Sequence, residues 1–300
     1  MTNQYALAKF TGFTEREVRQ LCERYHMSFE QTKDWYDGYT VNGISIYNPR
    51  SVTSAMMNGI FDSYWTQTET YEALKMYIVR NENGLRDKII RMIAGEHISI
   101  NTKTFQNDMC TFETADDILT LLVHLGYLTY DFDTKTAWIP NKEVREVFQE
   151  EMEAWFADIL PVNRQTALYR ALWAQDIQGL EEQLIALLSG TGFHDAKESS
   201  YHGMMFGLLA MKYGDTISNG GSGKGLYDIV VRDSENGRAA VLEIRRASSA
   251  EQMDEGVRHA LGQIRRNDYD VRLRAKGCRT ILHVGIAFCQ KSARVGFEVA

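Results

Sequence analysis

Two strands are predicted over 226–232 and 239–245, joined by Asn236-Gly237, a dipeptide that favours a tight hairpin. With the turn there, Asp228 and Glu243 lie nearly opposite each other on adjacent strands. Glu243 and Arg245 are two residues apart and therefore share a sheet face. Two carboxylates brought together on one face repel unless a cation stands between them. A divalent ion with oxygen ligands, Mg2+ or Mn2+, is one solution. Glu198 opens the helix before the sheet and is placed to add a third carboxylate. The spacing equally allows a plainer arrangement, with Asp228 and Glu243 as edge-strand surface charges and Arg245 as their salt-bridge partner.

The elements that must position these groups follow from periodicity. Glu198 to Tyr213 is amphipathic and stops at Gly214, a helix C-cap signal. Thr216–Asn219 is a short extended piece, and Gly220 to Gly225 is a flexible loop. Ala250–Arg266 reads as a helix, Thr280–Phe288 as an apolar strand buried on both faces, and Arg294–Val299 as a last strand. Arg258, Arg265, Arg266, Arg272, Arg274, Lys276 and Arg279 are seven cations in 22 residues, opposed by Asp268 and Asp270. They form either a phosphate-tracking patch or a solvated helix face and loop.

Upstream the chain is helical with one small hairpin. Thr14 and Glu17 make a capping-box pattern with a Phe13/Val18 staple, and Ser28 with Gln31 repeats the box. Ser51 is a plausible N-cap for the helix after Tyr47-Asn48-Pro49. Thr114–Leu125, Tyr127–Phe132 and Thr136–Ile139 give a helix and hairpin in winged-helix order. That unit is acidic, which argues for scaffolding rather than contact with a phosphate backbone. The aromatic stretch around Trp35-Tyr36-Asp37-Gly38-Tyr39 is expected to form core.

Length and charge bound the whole. Three hundred residues fit about two domains. The net charge of −7 hides a split: residues 190–300 carry 16 basic and 13 acidic side chains, the rest 17 and 27. The expected division is a helical, winged-helix-like region over 1–158, a helical connector over 159–189 and a separate domain over 190–300 that holds the carboxylates. No apolar run is long enough to span a membrane, and residues 1–5 do not read as a signal peptide. Four scattered cysteines without a CxxC pair argue against a disulfide framework or zinc site. A cytoplasmic location and no membrane partner are expected.

Asp228-Ile229-Val230 followed after a hairpin by Glu243-Ile244-Arg245 resembles the D…(D/E)xK signature of the PD-(D/E)XK nuclease superfamily. More narrowly, Glu198-Ser199-Ser200-Tyr201-His202, Ser218-Asn219, Gly223 to Asp228, Ala260 to Ile264 with Tyr269, and Gly285 to Phe288 resemble a bacterial family of that superfamily. In that family the nuclease follows an AAA-ATPase-like region. Trp35 to Tyr39, Tyr47 to Ser51, Tyr64-Trp65 with Thr68, Gly126-Tyr127-Leu128 and Ile139-Pro140-Asn141 with Glu143 are similar to the part after its ATPase core.

The resemblance implies an α/β (α+β) fold overall, with a restriction-endonuclease-like αβββαβ core at the C-terminus. It also implies hydrolysis of phosphodiester bonds, DNA before RNA. Asp228, Glu243, Arg245 and Gln263 would be catalytic, and Glu198, Asp228 and Glu243 would hold Mg2+ or Mn2+. His202 and Tyr269 would support the site from behind. Lys224 with Arg258, Arg265, Arg266, Arg272, Arg274 and Lys276 would contact nucleic acid.

The sequence departs from the family pattern in several places. Gly220 to Lys224 does not meet GxxxxGK[ST], because Gly225 follows the lysine. The chain begins where the family's ATPase core would end, so ATP is not an expected ligand. Arg245 stands where the family has lysine, and Gly220-Gly221 and Gly225-Leu226 replace its Arg-Glu and Gly-Arg. The alternative function is therefore a catalytically degenerate nuclease fold that binds nucleic acid or a protein partner, in mobile-element defence or counter-defence.

Overall fold

A computed structural model describes residues 11–41, 44–64, 78, 84–103, 105, 112, 114–191, 196–218, 228–266 and 269–300. The predicted loop Gly220 to Gly225, Lys224 within it, Trp65, Thr68 and Cys110 lie outside the described residues, as do the side chains of Asp228 and Tyr269. The chain divides into two units, Met1–Glu151 and Met152–Ala300. Helices and sheets occur in both, so the architecture is mixed α and β.

In the first unit, β1 (Phe13–Thr14), β2 (Tyr39–Val41) and β3 (Ile44–Tyr47) form a small antiparallel sheet in the order β1-β3-β2. Around it pack α1 (Glu15–Tyr25), α2 (Phe29–Tyr36) and α3 (Pro49–Asn58). Thr14 and Glu17 close the capping box at α1. Asn48, not Ser51, caps α3. Its side chain accepts from the Arg50 N–H at 3.0 Å while Pro49 takes the first helical position. Proline suits that position because its fixed φ matches the helix and no N–H is missed there; Ser51 is buried inside the helix instead. Tyr36 and Tyr47 are fully buried, so the aromatic stretch is core. Tyr36 Oη donates to the Asp62 carbonyl at 2.9 Å, which satisfies its polar tip.

The unit continues with α4 (Leu85–Ile93), β4 (Ile98–Ser99), α5 (Ala115–His124), β5 (Thr129–Asp131) and β6 (Thr136–Trp138). Thr114 and Asp117 cap α5 reciprocally. The three strands pair in the order β4-β6-β5. Gly38, at φ +111°, presses against the Pro140 carbonyl so closely that a Cβ would sit 1.9 Å from its oxygen. This contact joins the aromatic core to the segment behind the hairpin.

The helix α6 (Lys142–Ile159) carries the division between the units. The second unit adds α7 (Val162–Ala174), α8 (Ile177–Ser189), α9 (Glu198–Lys212), β7 (Asp215–Ser218), β8 (Asp228–Asp233), β9 (Arg238–Arg246), α10 (Met253–Arg266), α11 (Tyr269–Ala275), β10 (Thr280–Cys289) and β11 (Ser292–Val299). Five strands make one sheet in the order β11-β10-β9-β8-β7. Only β9 and β10 run parallel, joined by α10 and α11. Residues 239–244 and 281–288 of these strands are buried and mostly apolar, with Glu243 and His283 as the polar exceptions. Helix α10 lies over one face with Leu261 and Ile264 against Val230, Val241 and Ile281.

Two glycines set how close α10 comes. Gly285 on β10 and Gly296 on β11 are register partners. A Cβ at Gly285 would meet the Val257 carbonyl at 2.8 Å and Leu261 Cγ at 2.9 Å. One at Gly296 would meet Val257 Cγ1 at 2.6 Å. The pair is a saddle in which one turn of α10 rests directly on the sheet backbone. The outer strand β11 is covered from α8. Glu181 accepts from the Val295 N–H at 3.0 Å and pairs with Arg294 at 3.1 Å.

Candidate active site on the central strand

The site is built on β9. The hairpin register puts Asp228 directly opposite Glu243, and the parallel register puts Gly285 beside it on the other flank. Glu243 is 0 % exposed, because α10 sits close over the glycine saddle next to it. Arg245, two residues on, shares the face. A Cβ added at Gly256 of α10 would lie 3.8 Å from the Arg245 Cβ, an ordinary contact, and 3.0 Å from the Ala287 Cβ.

Arg245 is the hub. Its Nη1 reaches Glu198 Oε1 at 3.1 Å and its Nη2 reaches Glu243 Oε1 at 2.9 Å. Gln263 Oε1, from the last turn of α10, accepts from the same Nη2. The N-terminal residue of α9 is held twice, since the second oxygen of Glu198 accepts from the Arg246 backbone N–H at 2.8 Å. Four elements of the unit thus converge: β9 supplies Glu243 and Arg245, α9 Glu198, α10 Gln263, and β8 the backbone position of Asp228.

The polar groups here are not all satisfied. Among the described residues neither oxygen of Glu243 has a hydrogen-bond partner; the 2.9 Å contact with Arg245 has the distance of an ion pair but not the angles of a hydrogen bond. Arg245 Nε and Gln263 Nε2 are likewise buried without partners. A buried unpaired polar atom costs about 1–3 kcal/mol, more if charged. Folds tolerate such groups at sites that another molecule or ion completes. Oxygen donors on Glu198 and Glu243 suit a hard divalent cation, but a guanidinium stands between them. No group of three or more His, Cys, Asp and Glu side chains that could hold a metal ion occurs among the described residues.

His202 lies one turn beyond Glu198, 2 % exposed, with Nε2 at 3.3 Å from Ser218 Oγ on β7. Burial pushes its pKa from 6.5 down to about 4. An imidazole with a depressed folded pKa leaves stability intact above pH 6.5 and erodes it as pH falls toward 4, because the unfolded chain takes the proton first. The second unit should therefore lose roughly 3 kcal/mol across that window at about 1.4 kcal/mol per pH unit. Urea midpoints at pH 7 and pH 5 check this: His202→Gln should flatten the difference between them, whatever its absolute stability.

The basic residues are placed unevenly. Arg258, Arg265 and Arg266 lie exposed along α10, Arg272 and Arg274 on α11, with Lys276 and Arg279 just after it. Arg265 is partnered by Glu298 at 2.8 Å, and Arg274 donates to the Ala300 carbonyl at 3.0 Å. Acidic residues open α10 and basic ones close it, an arrangement that also suits the helix dipole. Sequence reasoning missed the second anchor of Glu198, because a backbone N–H carries no residue-type signal.

The fold and the cluster define a class: a mixed sheet with a carboxylate–arginine centre on its middle strand and helices against it. The comparison with protein families is narrower. Residues 196–298 match the family model described as the PD-(D/E)XK nuclease superfamily. No curated protein and no solved structure matches the chain. No helix among the described residues is long and apolar enough to cross a membrane.

Proposed function

We propose that residues 196–298 form a PD-(D/E)XK nuclease domain with a restriction-endonuclease-like core that hydrolyses phosphodiester bonds, in DNA before RNA. The observation that carries the reading is the meeting of Glu198, Glu243, Arg245 and Gln263, with unpaired buried polar atoms, inside the segment that matches the nuclease family.

Glu198, Asp228 and Glu243 would hold Mg2+ or Mn2+, which when bound would supply Lewis acidity at the scissile phosphate and acidify a water. A guanidinium has no lone pair to act as a general base, so Arg245 serves as an electrostatic clamp on the phosphoryl oxygens. Gln263, whose amide NH2 has no partner among the described residues, is suited to orient a phosphate or a water. His202 and Tyr269 would support the site from behind, and Lys224 and the α10–α11 cations would grip the backbone. Residues 1–158 are read as a winged-helix-like scaffold related to the part that follows an AAA-ATPase-like core, with 159–189 as connector and no ATP bound. A cytoplasmic setting belongs to the same reading.

A specific observation favours a second reading: Arg245, in place of lysine, is already engaged by both carboxylates. A chain in which that contact is permanent would bind nucleic acid or a protein partner without cutting.

The test is cleavage of single- and double-stranded DNA and RNA with MgCl2 or MnCl2. Cutting that vanishes in Asp228→Ala and Glu243→Ala supports the nuclease. Binding without cutting supports the second reading, and neither cutting nor binding overturns both nucleic-acid readings. In either binding case, replacing Arg258, Arg266 and Lys276 together by alanine should reduce the slope of log K against log salt. The reduction should be about 0.9 for each duplex phosphate that the protein no longer neutralises. Fluorescence anisotropy measures this; an unchanged slope would show those residues to be solvated surface.

A further inference from the structure

We propose that the Arg245 guanidinium is the resident cation of this site, and that a divalent ion and the arginine are mutually exclusive occupants of the space between Glu198 and Glu243. This rests on reading those two glutamates as the cation ligands, not on cleavage itself.

The argument is electrostatic and geometric. A carboxylate as buried as Glu243 is stable only beside a positive charge. Arg245 supplies one at 2.9 Å, and it draws in Glu198 at 3.1 Å and the amide oxygen of Gln263 with the same planar fork. A divalent ion on the same oxygens would lie within a few ångströms of the guanidinium, and at that separation two positive charges repel strongly in a partly buried site. The ion can enter only if Arg245 swings out. The exit is built in: Arg245 is 19 % exposed and Glu198 28 %, whereas Glu243 is closed from solvent. A phosphodiester approaching from the open side offers the departing guanidinium another anion. Arginine release is therefore the step that admits the metal, and the site regulates its own cation.

The experiment is Mn2+ titration of the full-length protein without nucleic acid, followed by thermal melting and by the electron paramagnetic resonance signal of free Mn2+. The wild type is expected to bind weakly, with little shift in Tm at millimolar MnCl2. Arg245→Met should melt roughly 6–20 °C lower without metal, because Glu243 loses its counter-charge. It should bind Mn2+ on the order of 100-fold more tightly and recover much of the lost Tm. Adding Glu243→Gln should erase that recovery.

If Arg245→Met does not fold, Arg245→Lys carries the test. A lysine ammonium lacks the rigid planar fork that lets the guanidinium face Glu198, Glu243 and Gln263 together, so Mn2+ should bind about tenfold more tightly than to wild type. Tight Mn2+ binding by the wild type that neither substitution improves would overturn the proposal, as would no Mn2+ binding by either variant. A chain that cuts nothing yet shows the expected Mn2+ behaviour would sink the nuclease reading and leave this one standing.

Discussion

Gly285→Val is expected to destabilise the second unit by more than about 3 kcal/mol, among the larger effects for one added side chain. The cause is the saddle beneath α10. The first atom of any side chain at 285 lands 2.8 Å from a backbone carbonyl of that helix, and a carbonyl cannot rotate away. The whole helix must lift. Gln263 rides on its last turn, so its hydrogen bond with Arg245 should loosen with it. Gly262→Ala in the same helix is the matched control. Its Cβ would meet only Arg265 Nη2, at 3.7 Å, and replacing a mid-helix glycine should stabilise by roughly 0.5–1 kcal/mol. Urea denaturation of both variants gives the comparison. A Gly285→Val protein as stable as wild type would mean that α10 does not rest on the sheet as described.

The second large effect is at the hub. Arg245→Ala should cost about 3–5 kcal/mol, because it strands the closed-in Glu243 carboxylate without a counter-charge. Glu198→Ala should cost much less, around 1 kcal/mol, since that carboxylate is partly solvated and its ion pair is screened. The double variant Arg245→Ala/Glu243→Ala should recover part of the loss, because no buried charge is left over. The coupling in this cycle, read from denaturation midpoints, should be at least about 1 kcal/mol favourable to the pair. Additive losses would mean that the 2.9 Å ion pair carries no energy.

How much was legible in the sequence differs from element to element. Asn236-Gly237 disclosed the hairpin and brought Asp228 near Glu243, but not the register: a two-residue turn there would set Asp228 opposite Arg245, whereas the observed connection spans four residues, with Asp233 paired to Arg238 and Asp228 to Glu243. Strand β10 announced itself as an apolar run broken only by His283. Helix α11 did not: Val271 and Leu273 are separated by arginine, an alternation that carries no helical period, and only Leu273 is buried. The start of α3 was misread because serine is a common cap, while the asparagine before a proline was the stronger signal. Within the site, residue types disclosed the carboxylates. They could not show that Arg245 takes both of them at once, because that depends on Gly285 and Gly296 letting α10 descend far enough to close over Glu243 and bring Gln263 in.

The reach of Glu181 from α8 to Val295 bears on how this unit could be excised. A strand seeking to add beside β11 would have to evict a carboxylate from a backbone donor and strip Arg294 of a charged partner. A fragment beginning at residue 190 would keep every residue of the Arg245 hub yet lose that plug. It should be prone to edge-to-edge self-association, whereas a fragment beginning at 152 keeps the guard with the sheet it protects.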